Sequence, residues 1–353
     1  MELLLHQWGD WPELYRNTDK TEATEIVIID SQMNYRGKLD TYRLMTMVDR
    51  DVTGMVKYRF RIRKSSFIYS CKQGGIMHFV KWQALGNDFV FVNGFKEKLE
   101  EVTRHTKEIC DRHFGIGADG IIFVLPSDKA DLKMRIFNSD GSEAEMCGNG
   151  IRAFAKWAHE LGLVKEKRIS VETGAGILYP EILDNGMVRV DMGCPHLDAK
   201  EIPAEGFGEG PIINQTLANE KNGKSYQVTC VSMGNPHCVI FVDDAEAVPV
   251  TEEGPNLERD PHFPKKTNVE FVEQLSPNHL RMRVWERGAG VTLACGTGTC
   301  ATVAAAILNG RVSGGADVTL DGGQLHIEWD GNPKDHIFMT GPAEKVFEGD
   351  YLL

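Results

Sequence analysis

Two cysteines of this 353-residue chain stand in the same unusual setting. Cys147 begins the tetrapeptide Cys-Gly-Asn-Gly, and Cys295 begins Cys-Gly-Thr-Gly. Each tetrapeptide runs into a stretch whose residues predict a helix, over 151–159 and 299–308. Glycines at a helix start leave several backbone N–H groups free to meet an anion, and the helix dipole favours a thiolate at the same place. The pattern therefore predicts two acid/base thiols, each beside an anion-binding backbone.

The two settings belong to an internal repeat. When the chain is shifted against itself by 148 positions without a gap, four separated blocks align: 85–87 on 233–235, 120–124 on 268–272, 138 and 141 on 286 and 289, and 147–150 on 295–298. Such an alignment indicates a duplicated domain. Pseudo-twofold packing of the two halves would make Cys147 and Cys295 face each other across one cleft.

Strand-like segments surround both predicted helices. They cover 89–92, 133–137, 169–173, 187–192, 225–231, 238–242, 279–285, 317–320, 325–329 and 336–340. The second helix is apolar on all sides and is therefore expected to be buried in its own half. Many strands and one helix per half predict an α+β fold of two closed or nearly closed, pseudo-symmetric β-barrel domains, each wrapped round a central helix, with the active site in the cleft between them.

Two thiols on opposite sides of a bound carboxylate suit the removal of an α-proton from one face of an amino acid and its replacement from the other face. The pKa of a free thiol, about 8.5, lies far below that of an amino-acid α-carbon. The carbanion-like transition state therefore needs the N–H donors on the substrate carboxylate. No Lys lies in a pyridoxal-phosphate context, and Cys295 and Cys300 lack the partners of a zinc site. We expect neither a cofactor nor a metal.

Composition narrows the class of partner. The net charge of −12 argues against nucleic acid and against an anionic membrane surface, since both require a basic face. No apolar run approaches the roughly 18 to 20 residues of a transmembrane helix. The eight cysteines form no Cys-x-x-Cys pair and the N-terminus has no secretory pattern, which favours reduced thiols and a cytoplasmic location. A small molecule is the expected partner.

Residues 1–76 differ from the rest of the chain. Apolar and basic residues alternate over 56–64, which predicts one exposed strand. The codons of residues 72–76 can spell a purine-rich ribosome-binding site, so one interpretation is that translation begins at Met77. We predict three regions: an N-terminal extension of unknown role (1–76), a first half (77–191 with 342–353) and a second half (192–341).

From Met77 onward the sequence resembles the diaminopimelate epimerase family. The resemblance is carried by the segments ALGNDFVFV, FNSDGSEAEMCGNGIRAFAK, VSMGNPHCVIFV, TNVEF and WERGAGVTLACGTGTC. It implies the family fold of two similar β-barrels with central helices. It also implies a homodimer that interconverts LL- and meso-2,6-diaminopimelate without a cofactor, in the synthesis of lysine and peptidoglycan precursors.

The resemblance also implies residue roles near the reacting carbon. Cys147 and Cys295 would be one thiolate and one thiol, exchanging roles with the direction of reaction. The groups expected around them are the backbone cradles Gly148-Asn149 and Gly296-Thr297, the reacting-end ligand Asn87, and His237 and Glu286, which would set thiol protonation or orient the substrate.

A second set of residues is implied for the distal end of the substrate. It consists of Asn138, Asn235, Asn268 and Arg287. A single Asn next to Gly is readily explained as a turn residue. Asparagines at matching places in both halves favour a ligand role. Where some relatives place a Gln, this chain has Gly120, which leaves one polar contact absent or supplied by backbone.

Three other functions remain open at this stage. A racemase of the proline type also uses two cysteines, and the ERGAG context of Arg287 is what argues against it. An isomerase of the phenazine-pathway type shares the architecture but does not use the thiol pair. A non-catalytic amino-acid binder could use the same N–H groups yet has no need of two opposed thiols.

Overall fold

The computed structural model describes residues 75–353 and, before them, the backbone of three strands. In chain order the strands are Ile26–Ile29 (β1), Tyr42–Arg50 (β2), Val56–Lys64 (β3), Ile76–Ala84 (β4), Asn87–Asn93 (β5), Gly120–Leu125 (β6), Leu132–Asn138 (β7), Glu143–Ala144 (β8), Val171–Thr173 (β9), Gly176–Leu178 (β10), Glu181–Ile182 (β11), Val188–Asp191 (β12), Gln215–Asn219 (β13), Lys224–Ser232 (β14), Pro236–Val242 (β15), Asn268–Ser276 (β16), His279–Glu286 (β17), Gly290–Val291 (β18), Gly315–Leu320 (β19), Gly323–Glu328 (β20), Phe338–Gly341 (β21) and Glu344–Leu352 (β22). The helices are Leu99–Thr103 (α1), Thr106–Cys110 (α2), Gly148–Glu160 (α3), Val250–Glu258 (α4) and Gly296–Leu308 (α5).

The chain divides into two compact units, residues 1–79 with 348–353 and residues 80–347. In the first unit, β1, β2 and β3 form an antiparallel sheet in that order. Strand β3 covers the whole alternating segment for which a strand is predicted, while the predicted exposure of its side chains lies outside the described residues. None of the helices in the described part of the chain is long and apolar enough to cross a membrane.

Two larger sheets carry the repeat. The first has eight strands in the order β10-β9-β7-β6-β5-β4-β22, with β8 on β7, and the second has eleven in the order β11-β12-β21-β20-β19-β17-β16-β15-β14-β13, with β18 on β17. Strands β5 and β6 are parallel with Phe89 opposite Gly120, and β15 and β16 are parallel with His237 opposite Asn268. Both pairs are related by the 148-residue shift, so the two halves share one strand register.

Each sheet curves around one of the two long helices. Helix α5 contacts β14, β15, β16, β17, β19, β20 and β21, and most of its residues are fully buried. Helix α3 contacts β5, β6, β11 and β12 and buries Phe154 and Trp157 in the first core. The predicted α+β fold of two sheet domains round central helices is confirmed, as is the burial of the apolar helix.

The sequence predicts closed or nearly closed barrels, and of these two forms the fully closed one is wrong. Closing a barrel requires the first and last strands to exchange a ladder of hydrogen bonds. Here both sheets are open: the first runs from β10 to β22 and the second from β11 to β13. At one end of each sheet the strand is very short, with three residues in β10 and two in β11. Such short strands present too few N–H and C=O groups to complete a ladder.

Strand β12 is hydrogen-bonded to the sheet of one half, but its side chains pack into the core of the other. It pairs with β21 of the eleven-stranded sheet, with Val190 opposite Met339. Its side chains Val188 and Val190 nevertheless pack into the first core with the residues of α3. The predicted boundary between residues 191 and 192 follows this packing rather than the hydrogen bonds, and it stays a prediction.

Gly120→Ala is expected to lower the free energy of unfolding by about 1–3 kcal/mol. The new Cβ would lie 2.4 Å from the carbonyl oxygen of Phe137 on the paired strand, which must then move. Urea denaturation measures the change. Gly75→Ala is the control: among the described residues no atom lies within 4 Å of the added carbon, and the expected change is below about 0.5 kcal/mol. Equal stability of the two variants would contradict the close approach of β7 to Gly120.

Candidate active site

The two predicted thiols occupy equivalent positions at the starts of α3 and α5. Cys147 and Cys295 are the N-cap residues, both with extended backbone conformations. The sulfur of Cys147 accepts a hydrogen bond from the N–H of Gly150 at 3.4 Å, and that of Cys295 accepts one from Gly298 at 3.4 Å. A Cβ at Gly150 would meet Ile122 Cδ1 at 2.6 Å and one at Gly298 would meet Glu270 Oε1 at 2.7 Å, so a larger residue at either place would force these side chains to move. The sequence thus places each sulfur where N–H groups and the helix dipole stabilise a thiolate.

The two helices meet at their N-termini. The Cα of Gly148 lies 3.9 Å from the position that a Cβ on Gly296 would take. The side chain of Met339 lies beside both glycines, 3.2 Å from the position of a Cβ on either one. Both positive helix ends therefore lie at the same place, and their first N–H groups lack partners within the helices. Such an arrangement binds an anion.

A cleft of about 900 Å³ lies at this junction. It is lined by ten of the residues that the sequence singles out: Asn87, Asn138, Cys147, Gly148, Asn149, Asn235, Glu286, Cys295, Gly296 and Thr297. Three others, His237, Asn268 and Arg287, do not line it. The structure thus brings both thiols and both glycine cradles to one cavity and leaves part of the expected distal set outside its walls.

On the first half, Asn87 organises the surroundings of Cys147. Its side-chain oxygen accepts hydrogen bonds from the Cys147 sulfur at 3.4 Å and from Asn149 Nδ2 at 3.3 Å. Its Nδ2 donates to Asp119 at 2.6 Å, and Arg112 pairs with Asp119 at 2.7 Å. Asp119 and Arg112 also line the cleft, and sequence reasoning missed them. The signal available for Asp119 was its place beside Gly120 in the repeated block.

In the second half, two of the residues expected at the distal end, Asn268 and Arg287, are joined by a hydrogen bond. Asn268 Oδ1 accepts from the backbone N–H of Arg287 at 2.8 Å, and Asn268 Nδ2 donates to the carbonyl of Pro236 at 2.9 Å. The guanidinium of Arg287 donates to the carbonyl of Lys265 at 3.1 Å. Asn268 is buried and therefore fixes the backbone that carries Arg287 at the end of β17.

Behind Cys295 lies a buried pair of side chains, His237 and Glu270, of which only His237 is expected from the sequence. His237 and Glu270 are both fully buried, and Nδ1 of the histidine lies 2.6 Å from Oε1 of the glutamate. Nε2 of His237 donates to Asn235 Oδ1 at 3.1 Å. Sequence reasoning missed Glu270. Its signal was a charged residue within the segment 269–272, whose other three residues are apolar.

The equivalent thiols have unequal electrostatic surroundings. Burial raises the pKa of the Cys147 thiol, and Glu286 adds to this, but the N–H groups of Gly150 and Asn149 and the charge of Arg152 act in the opposite direction. Burial raises the pKa of the Cys295 thiol well above its ordinary value, and the carboxylates of Glu286 and Glu270 raise it further. The Thr297 hydroxyl and the Gly298 N–H lower it, but no cation is among the causes for Cys295. We infer that Cys147 ionises at the lower pH.

This inequality follows from substitutions within the repeat. Arg152 lies in α3 where α5 carries Cys300, and Glu286 stands where the first half has Asn138. The Arg152 guanidinium donates to the Gly148 carbonyl at 3.0 Å and to Asn149 Oδ1 at 2.9 Å. Burial lowers the pKa of Arg152 to about 10, so it stays charged at neutral pH. The duplicated backbone therefore carries a cation behind one thiol and a carboxylate beside the other.

Solved structures with the same fold include racemases and isomerases of other substrates. A PhzF-family phenazine biosynthesis protein from Bacillus anthracis matches with a TM-score of 0.57 and 19% identity, covering 79% of this chain and 100% of that one. A hydroxyproline epimerase from Agrobacterium vitis matches with a TM-score of 0.57 and 16% identity, covering 79% and 93%. These likenesses define the class by fold alone: two helix-centred sheet domains.

Closer relatives identify the family. A profile described as diaminopimelate epimerase matches residues 79–197 and 229–346. The diaminopimelate epimerase of Pelotomaculum thermopropionicum is 54% identical over 281 residues, covering 78% of this chain and 99% of that protein. That of Moorella thermoacetica is 54% identical over 283 residues, covering 78% and 100%. The chain belongs to the diaminopimelate epimerase family.

The pH dependence of alkylation should differ between Cys147 and Cys295. With iodoacetamide we expect both rates to rise with pH, since the thiolate is the nucleophile, and the pH midpoint for Cys147 to lie below that for Cys295. Arg152→Met should move the Cys147 midpoint upward, whereas Arg152→Lys keeps the charge and should move it less. Peptide mass spectrometry across a pH series measures each site. A lower midpoint at Cys295 would contradict the inferred asymmetry.

Proposed function

We propose that this protein interconverts LL- and meso-2,6-diaminopimelate by a two-thiol acid/base mechanism that needs no cofactor. The observation that carries the proposal is the pair of N-cap thiols, Cys147 and Cys295, at two helix N-termini that meet in one cleft. The 54% identity to the diaminopimelate epimerases described above supports this substrate over proline-type ones. The hydroxyproline epimerase supports the fold alone.

The reaction follows from the two helix ends. The carboxylate of the reacting centre binds to the N–H groups after Cys147 and Cys295, which fixes the α-carbon between the sulfurs. One thiolate removes the α-proton, and the electron pair is delocalised into the carboxylate, where the N–H groups stabilise it. The opposite thiol then gives its proton to the other face. The centre is inverted, and thiolate and thiol have exchanged places.

The remaining site residues take supporting roles in this proposal. Asn87 holds the Cys147 sulfur and lies at the reacting end, while Glu286 and His237 lie on the Cys295 side. Asn138 and Asn235, which line the cleft, bind the distal end of the substrate. Asn268 acts by fixing the backbone of Arg287, whose exposed side chain turns from the Lys265 carbonyl toward the distal carboxylate.

The cellular setting is also proposed here. Two working thiols require a reducing compartment, which supports a cytoplasmic enzyme. Family resemblance supports a homodimer with diaminopimelate as its small-molecule partner, and sedimentation equilibrium measures the assembly.

The origin of the product hydrogen tests the mechanism. In D₂O we expect meso product deuterated at one α-carbon from the first turnovers, with recovered LL substrate almost unlabelled, because the donating thiol carries a solvent proton. Mass spectrometry of both pools measures this. Cys147→Ala and Cys295→Ala should each lower the rate by at least roughly 10²-fold, and Cys300→Ala is the control with near-normal rate. Early product that keeps its α-hydrogen would exclude the two-thiol mechanism.

Residues 77–353 should carry the activity alone. Every proposed site residue lies between Asn87 and Thr297, and the two relatives above match over 281 and 283 residues. A chain beginning at Met77 is expected to keep the turnover and the thermal midpoint of the full chain. Calorimetry and the epimerase assay measure both. A clear fall in either would show that residues 1–76 stabilise the enzyme.

A further inference from the structure

Glu270 occupies a position where the fold itself accepts an apolar residue. It lies in β16, and its counterpart in the repeat is Ile122 of β6. Each side chain lies against the glycine that follows the thiol of its half by three residues. Ile122 Cδ1 lies 2.6 Å from the position that a Cβ on Gly150 would take. Glu270 Oε1 lies 2.7 Å from the position that a Cβ on Gly298 would take. An isoleucine thus fills this place in one half, so packing does not explain the carboxyl group in the other.

The carboxyl group is also incompletely satisfied. Oε1 of Glu270 contacts Nδ1 of His237 at 2.6 Å, whereas the buried Oε2 accepts no hydrogen bond from any of the described residues. A buried polar atom without a partner destabilises a fold. Burial accordingly raises the pKa of Glu270, which favours its uncharged form. A residue kept at a cost to stability is a candidate for function.

Counting protons defines the state of the pair. Nε2 of His237 lies 3.1 Å from Asn235 Oδ1. Because an amide oxygen only accepts hydrogen bonds, Nε2 must carry the hydrogen. Nδ1 and Oε1 at 2.6 Å must also share a proton, since two facing lone pairs would repel at that distance. His237 and Glu270 therefore hold two protons between them and are neutral as a pair.

These protons fix the groups that lead to Cys295. With its oxygen held by His237, Asn235 turns its Nδ2 to Thr297 Oγ1 at 3.2 Å. That hydroxyl lies 3.6 Å from the sulfur of Cys295. The buried glutamate is thus connected to the thiol through three intervening side chains, and Asn235 and Thr297 both line the cleft.

We propose that Glu270 is a positioning residue for the epimerase reaction: it holds the proton that keeps the Nε2–H of His237 on Asn235, so that Asn235 presents N–H rather than oxygen to Thr297 and the cleft. The inference rests on the proposed function. Without that proton His237 takes the Nδ1–H form beside the carboxylate, its bare Nε2 faces Asn235, and the amide turns over. The substrate and the Thr297 hydroxyl then meet an acceptor.

Three variants test the inference. Glu270→Ile installs the residue of the other half and removes the group that contacts Nδ1, so the ring of His237 is no longer held with its Nε2–H on Asn235. We expect kcat/KM to fall roughly tenfold to a hundredfold while the thermal midpoint changes by less than about 4 °C. Glu270→Gln retains an N–H donor for Nδ1 and should restore kcat/KM to within about threefold of wild type. Ile122→Val alters the same packing in the first half and should leave kcat/KM unchanged. Normal kcat/KM in Glu270→Ile, or equal losses in the Ile and Gln variants, would overturn the proposal.

A spectroscopic readout keeps this test separate from the proposed function. Long-range ¹H–¹⁵N spectra of histidine-labelled enzyme, with His237 assigned by His237→Gln, should show Nε2 protonated in wild type and in Glu270→Gln. They should also show a downfield proton from the short Nδ1–Oε1 contact that is lost in Glu270→Ile. An unprotonated Nε2 in wild type would overturn the inference whatever the substrate. Wild-type enzyme inert toward diaminopimelate, with the expected spectra, would overturn the proposed function instead.

Discussion

The meeting of two helix N-termini is the constraint on which the rest of the molecule depends. Like ends of two helix dipoles repel, and their first N–H groups have no partners inside the helices. They stay together because each helix is buried in a sheet domain and because Gly148 and Gly296 carry no side chain to separate them. An anion that enters between them relieves both the repulsion and the unpaired donors. The two sheets thus hold the helix ends together, and in the proposed reaction this is the point that binds the substrate carboxylate.

The two halves share one backbone arrangement, whereas the side chains around their two thiols differ. The register of β5 with β6 repeats in β15 with β16, and the two N-cap sulfurs accept equivalent hydrogen bonds. A symmetric pair of thiols would have no preferred resting state. Arg152 behind one thiol and Glu286 beside the other make the surroundings of the two sulfurs unequal, so in the proposed reaction they need not be equivalent bases. Reversible chemistry remains possible because the difference lies in neighbouring charges and not in backbone geometry.

Much of this could be read from the sequence because its signals are local or periodic. The repeat, the two helices and ten cleft residues follow from spacing, glycine placement and motif resemblance. That the sheets stay open could not be predicted, because closure depends on the lengths of strands such as β10 and β11. Strands of two or three residues leave no recognisable pattern in the sequence. Glu270 was missed for a related reason: a charged residue in an apolar strand has no meaning until its partner, His237 on the neighbouring strand, is known. The places of Asn268 and Arg287 depend likewise on contacts with residues distant in the sequence, Pro236 and Lys265.

Strand β12 has a consequence for how the molecule gains and loses its structure. Its backbone is bonded to the eleven-stranded sheet while Val188 and Val190 complete the core around α3. Neither half can therefore melt alone without breaking a ladder or opening a core in the other. The two halves should behave as one cooperative unit in unfolding, despite their origin as separate copies.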